Sequence, residues 1–387
     1  MKRDVMMKWI SGAVLLLLTI AAGFFVIAPA YFDKKLNVVV EHEPYDVSAA
    51  AKALHASIPV ADLHADTLLW ARNPLKYNNF GQTDLPRFRS GGMKLQLFTA
   101  VTKAPKGQNY ERNSADSDQL TLLAIAQRWP VKTWNSLYER AAYQAARLHN
   151  IEAHADGDFQ IIRTQADLHK AMTSNALAAI LGMEGAHPLE GDLGNVDRLF
   201  DVGYRVMGLQ HFFDNELGGS LHGLSGNGLT VFGEQAVDQA VSLGMIIDVA
   251  HSSEAVVRDV LSRSAKPVIV SHTGFKGACD TVRNIPDQLM QEIAATGGLI
   301  GVGFWDDAIC DARPQGIARM LLYGVELVGV EHIALGSDFD GSITAYLDAS
   351  ELAAITQALI DQGADDATIR AVMGENAVRF FAAHLPQ

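Results

Sequence analysis

An apolar run at residues 58–63 leads into Asp62-Leu-His64-Ala-Asp66. On an extended strand, residues two and four apart point the same way, so this spacing sends one imidazole and two carboxylates into one space. The theme recurs in Leu181-Gly-Met-Glu184-Gly, in Gln210-His211, in Asp248-Val-Ala-His251, in Val270-Ser-His272-Thr and in Gly336-Ser-Asp338-Phe-Asp340-Gly. Each places an acid or an imidazole at the end of an apolar run. A lone histidine at a strand end is usually a hydrogen-bonded structural residue. Six such ends are harder to explain by packing, because charged groups converging in a cavity lose hydration and repel unless a cation neutralises them. Imidazole and carboxylate donors without thiolate suit zinc, and also allow manganese, iron or cobalt. The chemistry this predicts is hydrolysis at a divalent metal pair.

The elements that must position these groups are short apolar runs: Ile58–Leu63, Met93–Ala100, Ala178–Met183, Tyr204–Leu209, Met245–Ala250, Pro267–Val270, Leu299–Phe304 and His332–Gly336. Near-continuous apolar runs suit strands buried on both faces of a parallel sheet. Helical patterns lie between most of them, at Val231–Leu243, Glu254–Ser262, Asp287–Thr296 and Gln315–Val328, and two more follow, at Ala349–Gln362 and Ala367–His384. A long insertion, roughly 103–175, separates the second and third strands and holds a helix around Ser136–His149. Strands alternating with helices predict an α/β fold, a (β/α)8 TIM-like barrel whose active site lies at the C-terminal strand ends. An open doubly wound sheet would usually carry a glycine-rich phosphate turn after its first strand; here that turn carries His64 and Asp66.

Before the barrel, Ile10 to Phe32 is apolar and uncharged, behind Lys2, Arg3 and Lys8. Its length is near the roughly 20 residues that span a bilayer. It is expected to be a membrane anchor (1–32), with a cleaved signal peptide as the alternative because Ala28-Pro29-Ala30 resembles a cleavage site. Either way, the domain after it would be exported. Residues 33–48 read as a linker and 49–387 as the barrel domain. The 387-residue chain carries a net charge of −13 with scattered lysine and arginine, which argues against nucleic acid as a partner. The two cysteines, Cys279 and Cys310, form no metal or disulfide framework motif; a single bridge and two thiols are both open.

The ordered set His64-x-Asp66, Glu184-Gly, His251, His272 and Ser337-Asp338-Phe-Asp340-Gly resembles the metal and catalytic signature of the renal (membrane) dipeptidase family, peptidase family M19. Supporting stretches are Asp84-Leu-Pro-Arg87-Phe-Arg-Ser-Gly-Gly92, Gly203-Tyr-Arg205, Arg283-Asn-Ile-Pro-Asp287 and Gly374-Glu-Asn376-Ala-Val-Arg379. Together they cover about residues 50 to 384.

The resemblance implies a dipeptidase with two zinc ions per chain. His64 and Asp66 would bind one ion, His251 and His272 the other, and Glu184 would bridge them. A water shared by the ions would attack the peptide carbonyl. Asp338 would take its proton and pass it to the leaving amine. His211 would bind the substrate oxygen as it becomes an oxyanion, and Arg283 would hold the substrate's terminal carboxylate bidentately. Asp62 is expected to orient His64. Tolerance for a C-terminal D-residue and a homodimer are further implications. The loop at the fourth strand departs from the family pattern: Val206-Met-Gly-Leu-Gln210 precedes His211, and Phe212-Phe213 follows it, which bears on substrate preference.

Two other readings compete. Another binuclear amidohydrolase of this barrel type would usually show His-x-His on the first strand and a bridging lysine; this chain has His64-x-Asp66 and Glu184. A non-catalytic, membrane-anchored binding protein would usually lack a ligand, and none is missing.

Overall fold

The computed structural model describes residues 2–387, without the side chains of residues 2–5, 13, 14 and 16–22. Eight parallel strands form the barrel: β1 (Val60–Ala65), β2 (Met93–Val101), β3 (Leu177–Glu184), β4 (Tyr204–Gly208), β5 (Ile246–Asp248), β6 (Ile269–Thr273), β7 (Leu299–Val302) and β8 (Ile333–Leu335). Their order around the ring is β2-β1-β8-β7-β6-β5-β4-β3, and β3 pairs with β2 to close it. Along that closing seam Leu95 stands opposite Ala178 and Val101 opposite Glu184. All eight overlap the apolar runs read from the sequence, the sixth only at Ile269 and Val270.

One buried cluster takes a residue from every strand, among them Leu63, Leu97, Ile180, Val206 and Ile246, together with Phe381 of the last helix. That is the packed interior such a barrel requires. Helices cover the outside, and those at Val231–Leu243, Glu254–Arg263, Asp287–Ala295 and Pro314–Val328 match the expected patterns closely. The last expected helix is broken into Asp366–Arg370, a wide turn at Ala371–Glu375 and Asn376–His384. The turn runs against β1, where a Cβ on Gly374 would clash with the Pro59 carbonyl, so the backbone approach fixes the break. The insertion adds helices Leu120–Ala126, Leu137–His154 and Gln165–Met172, and a short strand, Phe159–Ile161, that pairs with β3 outside the barrel.

The N-terminal expectation is corrected. The run Ile10–Phe32 lies within helix α1 (Lys2–Leu36), but among the described residues no helix is long and apolar enough to cross a membrane. The side chains of residues 13, 14 and 16–22 of that run lie outside the described residues. Membrane anchoring, and the anchored and exported localisation drawn from it, are therefore not upheld. The described end of α1 is docked on the barrel. Asp33 is 1% exposed and accepts from Arg72 at 2.5 Å and from Asn37 Nδ2 at 2.8 Å. Arg72 also pairs with Asp340, just beyond β8. In the stretch read as a linker, Val38–Val39 pairs in parallel with Thr344–Ala345.

Candidate metal centre

The strand ends deliver the predicted groups to one buried cluster. His64 enters from β1, and its Nε2 lies 3.6 Å from Asp66 Oδ1, 3.7 Å from Glu184 Oε1 and 3.8 Å from Asp338 Oδ1. Glu184, at the end of β3, is the hub. Its Oε1 is 3.1 Å from His251 Nε2 and 3.4 Å from His272 Nε2, and its Oε2 is 3.5 Å from His211 Nε2. The two imidazole nitrogens of His251 and His272 are 2.9 Å apart. Three donor groups result: His64, Glu184 and His272; Glu184, His211 and His251; His64, Asp66 and Asp338. Two of them share Glu184 and two share His64.

Local backbone conformation explains how short strand ends aim these side chains. His251 and Asp338 adopt left-handed conformations, with φ of 61° and 62°. His and Asp tolerate that region better than most non-glycine residues, and such positions concentrate at functional sites. Neighbouring polar groups fix the rings. His64 Nδ1 is 3.1 Å from Ser271 Oγ, His272 Nδ1 is 2.9 Å from the same oxygen, and Thr99 donates to Asp66 Oδ1 at 2.6 Å. Asp62 does not touch the His64 ring. It accepts from Ser337 N at 2.6 Å and Gln96 Nε2 at 2.7 Å, and lies 3.4 Å from His64 N, so it ties β1 to β2 and to the Asp338 turn. Asp248 likewise caps backbone, accepting from Ala250 N and Ser271 N, each at 3.0 Å.

The donor set fits a divalent cation pair. Burial and the neighbouring Asp66 push Glu184 well above the ordinary carboxylate range, and burial lifts Asp338 to about 8. Burial, with Arg283 and the neighbouring rings, holds His251 and His272 well below the usual imidazole value. The cluster thus presents imidazole lone pairs and crowded carboxylates, countered within the chain by His64, which Glu184 and Asp66 hold up at about 10 against burial, and by Arg283. Cations between them would satisfy both, and the two-metal site is of the zinc type, binuclear and rich in His and carboxylate.

His211 is buried, with its Nδ1 3.3 Å from the Lys103 carbonyl, and burial lowers it to about 4. Arg283 is fully buried. It donates to the His272 carbonyl at 2.8 Å and lies 5.2 Å over the Trp305 ring, while its Nε has no partner. The loop carrying it is stapled: Cys279 is bonded to Cys310, with Cα atoms 5.7 Å apart.

Some neighbours were not singled out in the sequence. His222 is fully buried, stacked on Phe212 with centroids 5.0 Å apart, and 5.4 Å from the His251 ring. Burial lowers it to about 3. Tyr110, Trp305 and Trp70 line the cavity above the cluster, as do Phe24 and Phe32 of α1. Trp305 follows β7 by three residues, but an indole is no metal ligand; the others lie away from strand ends, so spacing gave no signal. His187 stacks on Phe213 at 4.5 Å, away from the donor groups.

Residues 48–384 match the family model of membrane dipeptidase, peptidase family M19. Dipeptidase ataJ of Aspergillus terreus is 26% identical over 379 residues, covering 88% of this chain and 87% of its own length. Dipeptidase aclJ of Aspergillus oryzae is 26% identical over 402 residues, covering 94% and 86%. The fold is shared with a metallopeptidase from Rhodobacter sphaeroides, solved with a phosphinate mimic of the dipeptide L-Ala-D-Ala. The TM-score is 0.69 at 24% identity, covering 85% of this chain and 99% of that one.

Proposed function

We infer the division of labour at this centre from the premise that the chain belongs to the membrane dipeptidase family, peptidase family M19. It is a metal-dependent dipeptidase with a binuclear site. When bound, a divalent metal pair polarises the scissile carbonyl and generates a nucleophile from water near neutral pH. Glu184 is assigned as the bridging carboxylate, since one of its oxygens faces both His251 and His272 and also lies 3.7 Å from His64. His64 and Asp66 would hold one ion, and His251 and His272 the other.

Asp338 takes up the proton released by the attacking water at a carboxylate oxygen and delivers it to the leaving amine. Burial among acids raises its proton affinity, which suits the shuttle. His211 is assigned to the substrate oxygen through Nε2, which lies 3.5 Å from Glu184 Oε2, while Nδ1 faces the Lys103 carbonyl at 3.3 Å. Arg283 receives the substrate's terminal carboxylate. The observation that supports this role is that Arg283 lines the cavity beside Trp305 while its buried Nε has no partner in the chain.

Such an anchor reads the carboxylate rather than the chirality of the carbon bearing it, so we extend the substrate range to dipeptides ending in a D-residue. Hydrolysis of L-Ala-D-Ala and L-Ala-L-Ala by the zinc-loaded chain tests the extension. Comparable turnover is expected; cleavage of the L,L form alone would overturn it.

A further inference from the structure

We propose that the end of α1 and helix α2 (Leu120–Ala126) of the insertion build an apolar subsite that selects dipeptides whose N-terminal residue carries a large apolar side chain. The inference rests on the dipeptidase reading and on Arg283 as the carboxylate anchor.

The cavity over the metal cluster has a volume of about 630 Å³. Cavities of roughly 300–1,000 Å³ enclose drug-sized ligands, so two small residues would leave much of this one empty. Its ends differ chemically. Arg283, in the loop after β6, stands against Trp305 at one end. The strand opposite β6 in the ring is β2. At its end Val101, with Trp70 from the loop after β1 and Leu120 of α2, belongs to a separate apolar cluster, with Leu123 packed on it. Phe24, Phe32 and Leu36 of α1 face the same cavity. They remain 45%, 40% and 39% exposed, apolar area that an occupant would cover.

Asp66, Glu184, His251 and Asp338 also line this cavity, and place the scissile bond between its two ends. With the carboxylate at Arg283 and the carbonyl at the cluster, the N-terminal residue is the part of the substrate left to meet the apolar wall. Removing that side chain from water favours binding in proportion to the area covered.

The wall contributed by α1 lies outside the stretch matched by the family model, which begins at residue 48. It is nevertheless held in place. Asp33 sits within the wall-forming turn and is fixed by Arg72, while Asn37 Oδ1 accepts from Ser342 N at 3.0 Å. Residues 24–36 therefore belong to the architecture of the mouth and act as specificity determinants.

The test uses the zinc-loaded full chain and two dipeptide series. One varies the N-terminal residue (Gly-Ala, Ala-Ala, Leu-Ala, Phe-Ala) and the other the C-terminal residue (Ala-Leu, Ala-Phe). We expect kcat/KM for Leu-Ala and Phe-Ala to exceed that for Gly-Ala by at least about tenfold, the scale on which apolar pockets discriminate. In Phe32→Ser with Leu36→Ser, this ratio should fall at least about fivefold through KM, with the C-terminal series keeping its ranking. Leu123→Ser probes the same wall from the insertion and guards against misfolding of the first variant. A flat N-terminal series in the wild type, or an equal loss for every substrate in both variants, overturns the subsite alone. Failure to cleave any of the dipeptides overturns the dipeptidase reading and the subsite with it.

Discussion

Nε2 of His251 lies 2.9 Å from Nε2 of His272, and both rings are buried and resist protonation. Two neutral imidazoles that close, beside a carboxylate shared at 3.1 and 3.4 Å, converge on one point where a cation would take both nitrogen lone pairs and the carboxylate oxygen. Metal should therefore stabilise the fold as well as activate it. Ligand binding to the native state alone adds about 2.7 kcal/mol at a hundredfold excess over Kd. Thermal unfolding of the zinc-loaded and the chelated chain checks this: a Tm lower by several degrees after chelation, restored by zinc, is expected, and an unchanged Tm would contradict it.

Arg283 makes a second prediction. Truncating one partner of a buried charge pair costs about 2–5 kcal/mol, so Arg283→Ala should lower kcat/KM for Ala-Ala by roughly 30-fold to several thousandfold, mostly through KM. An amidated dipeptide should be equally poor with the wild type, and the variant should make it little worse. Independent, additive losses would show that the arginine does not meet the carboxylate.

Asp338 can be displaced without changing it. A Cβ at Gly341 would meet the Asp338 carboxylate first, at Oδ1, with the Asp338 backbone carbonyl next and just inside contact distance. Gly341→Ala should lower kcat by about 10²-fold or more, the range of general acid–base catalysis, with Tm and zinc content near wild type. Unchanged kcat would indicate that the position of the Asp338 carboxylate does not limit the reaction.

The docking of α1 predicts a pH dependence. Arg72 is shared between Asp33 and Asp340, and burial pushes Asp33 up to about 6 from 3.8. A carboxyl whose folded pKa lies above its unfolded value binds its proton more tightly in the fold. Its stabilising contribution is then full below about 4 and is lost as pH rises through about 6. Asp33→Asn removes that titration. The Tm of the wild type relative to Asp33→Asn should fall between pH 4 and pH 7; a difference constant with pH would contradict the account.

The barrel was legible because each strand is a short apolar run and each metal-facing group sits at its end, where the period-two register of a strand carries direct information. Asp62 shows the limit of that logic. Its spacing from His64 suggested contact with the ring, yet its partners are Ser337 and Gln96, from the turn after β8 and from β2, and pairing between segments distant in sequence is not encoded in local spacing. His222 was missed because it reaches the site from a loop, and Trp305, three residues past β7, because an indole is not a metal ligand. The N-terminal run read as an anchor because hydropathy and a basic flank say nothing of docking. The local sign was Asp33, an acid at the close of an apolar run, whose partner Arg72 lies 39 residues away.

The central claim, a binuclear metal centre that cleaves dipeptides, is tested most directly by Ala-Ala hydrolysis and bound metal measured on the same sample, in wild type and Glu184→Gln. The account predicts about two zinc ions per wild-type chain, turnover abolished by a chelator and restored by zinc, and loss of both activity and at least one ion in Glu184→Gln. Turnover that survives complete removal of metal, or a Glu184→Gln variant that keeps two ions and full activity, would contradict it.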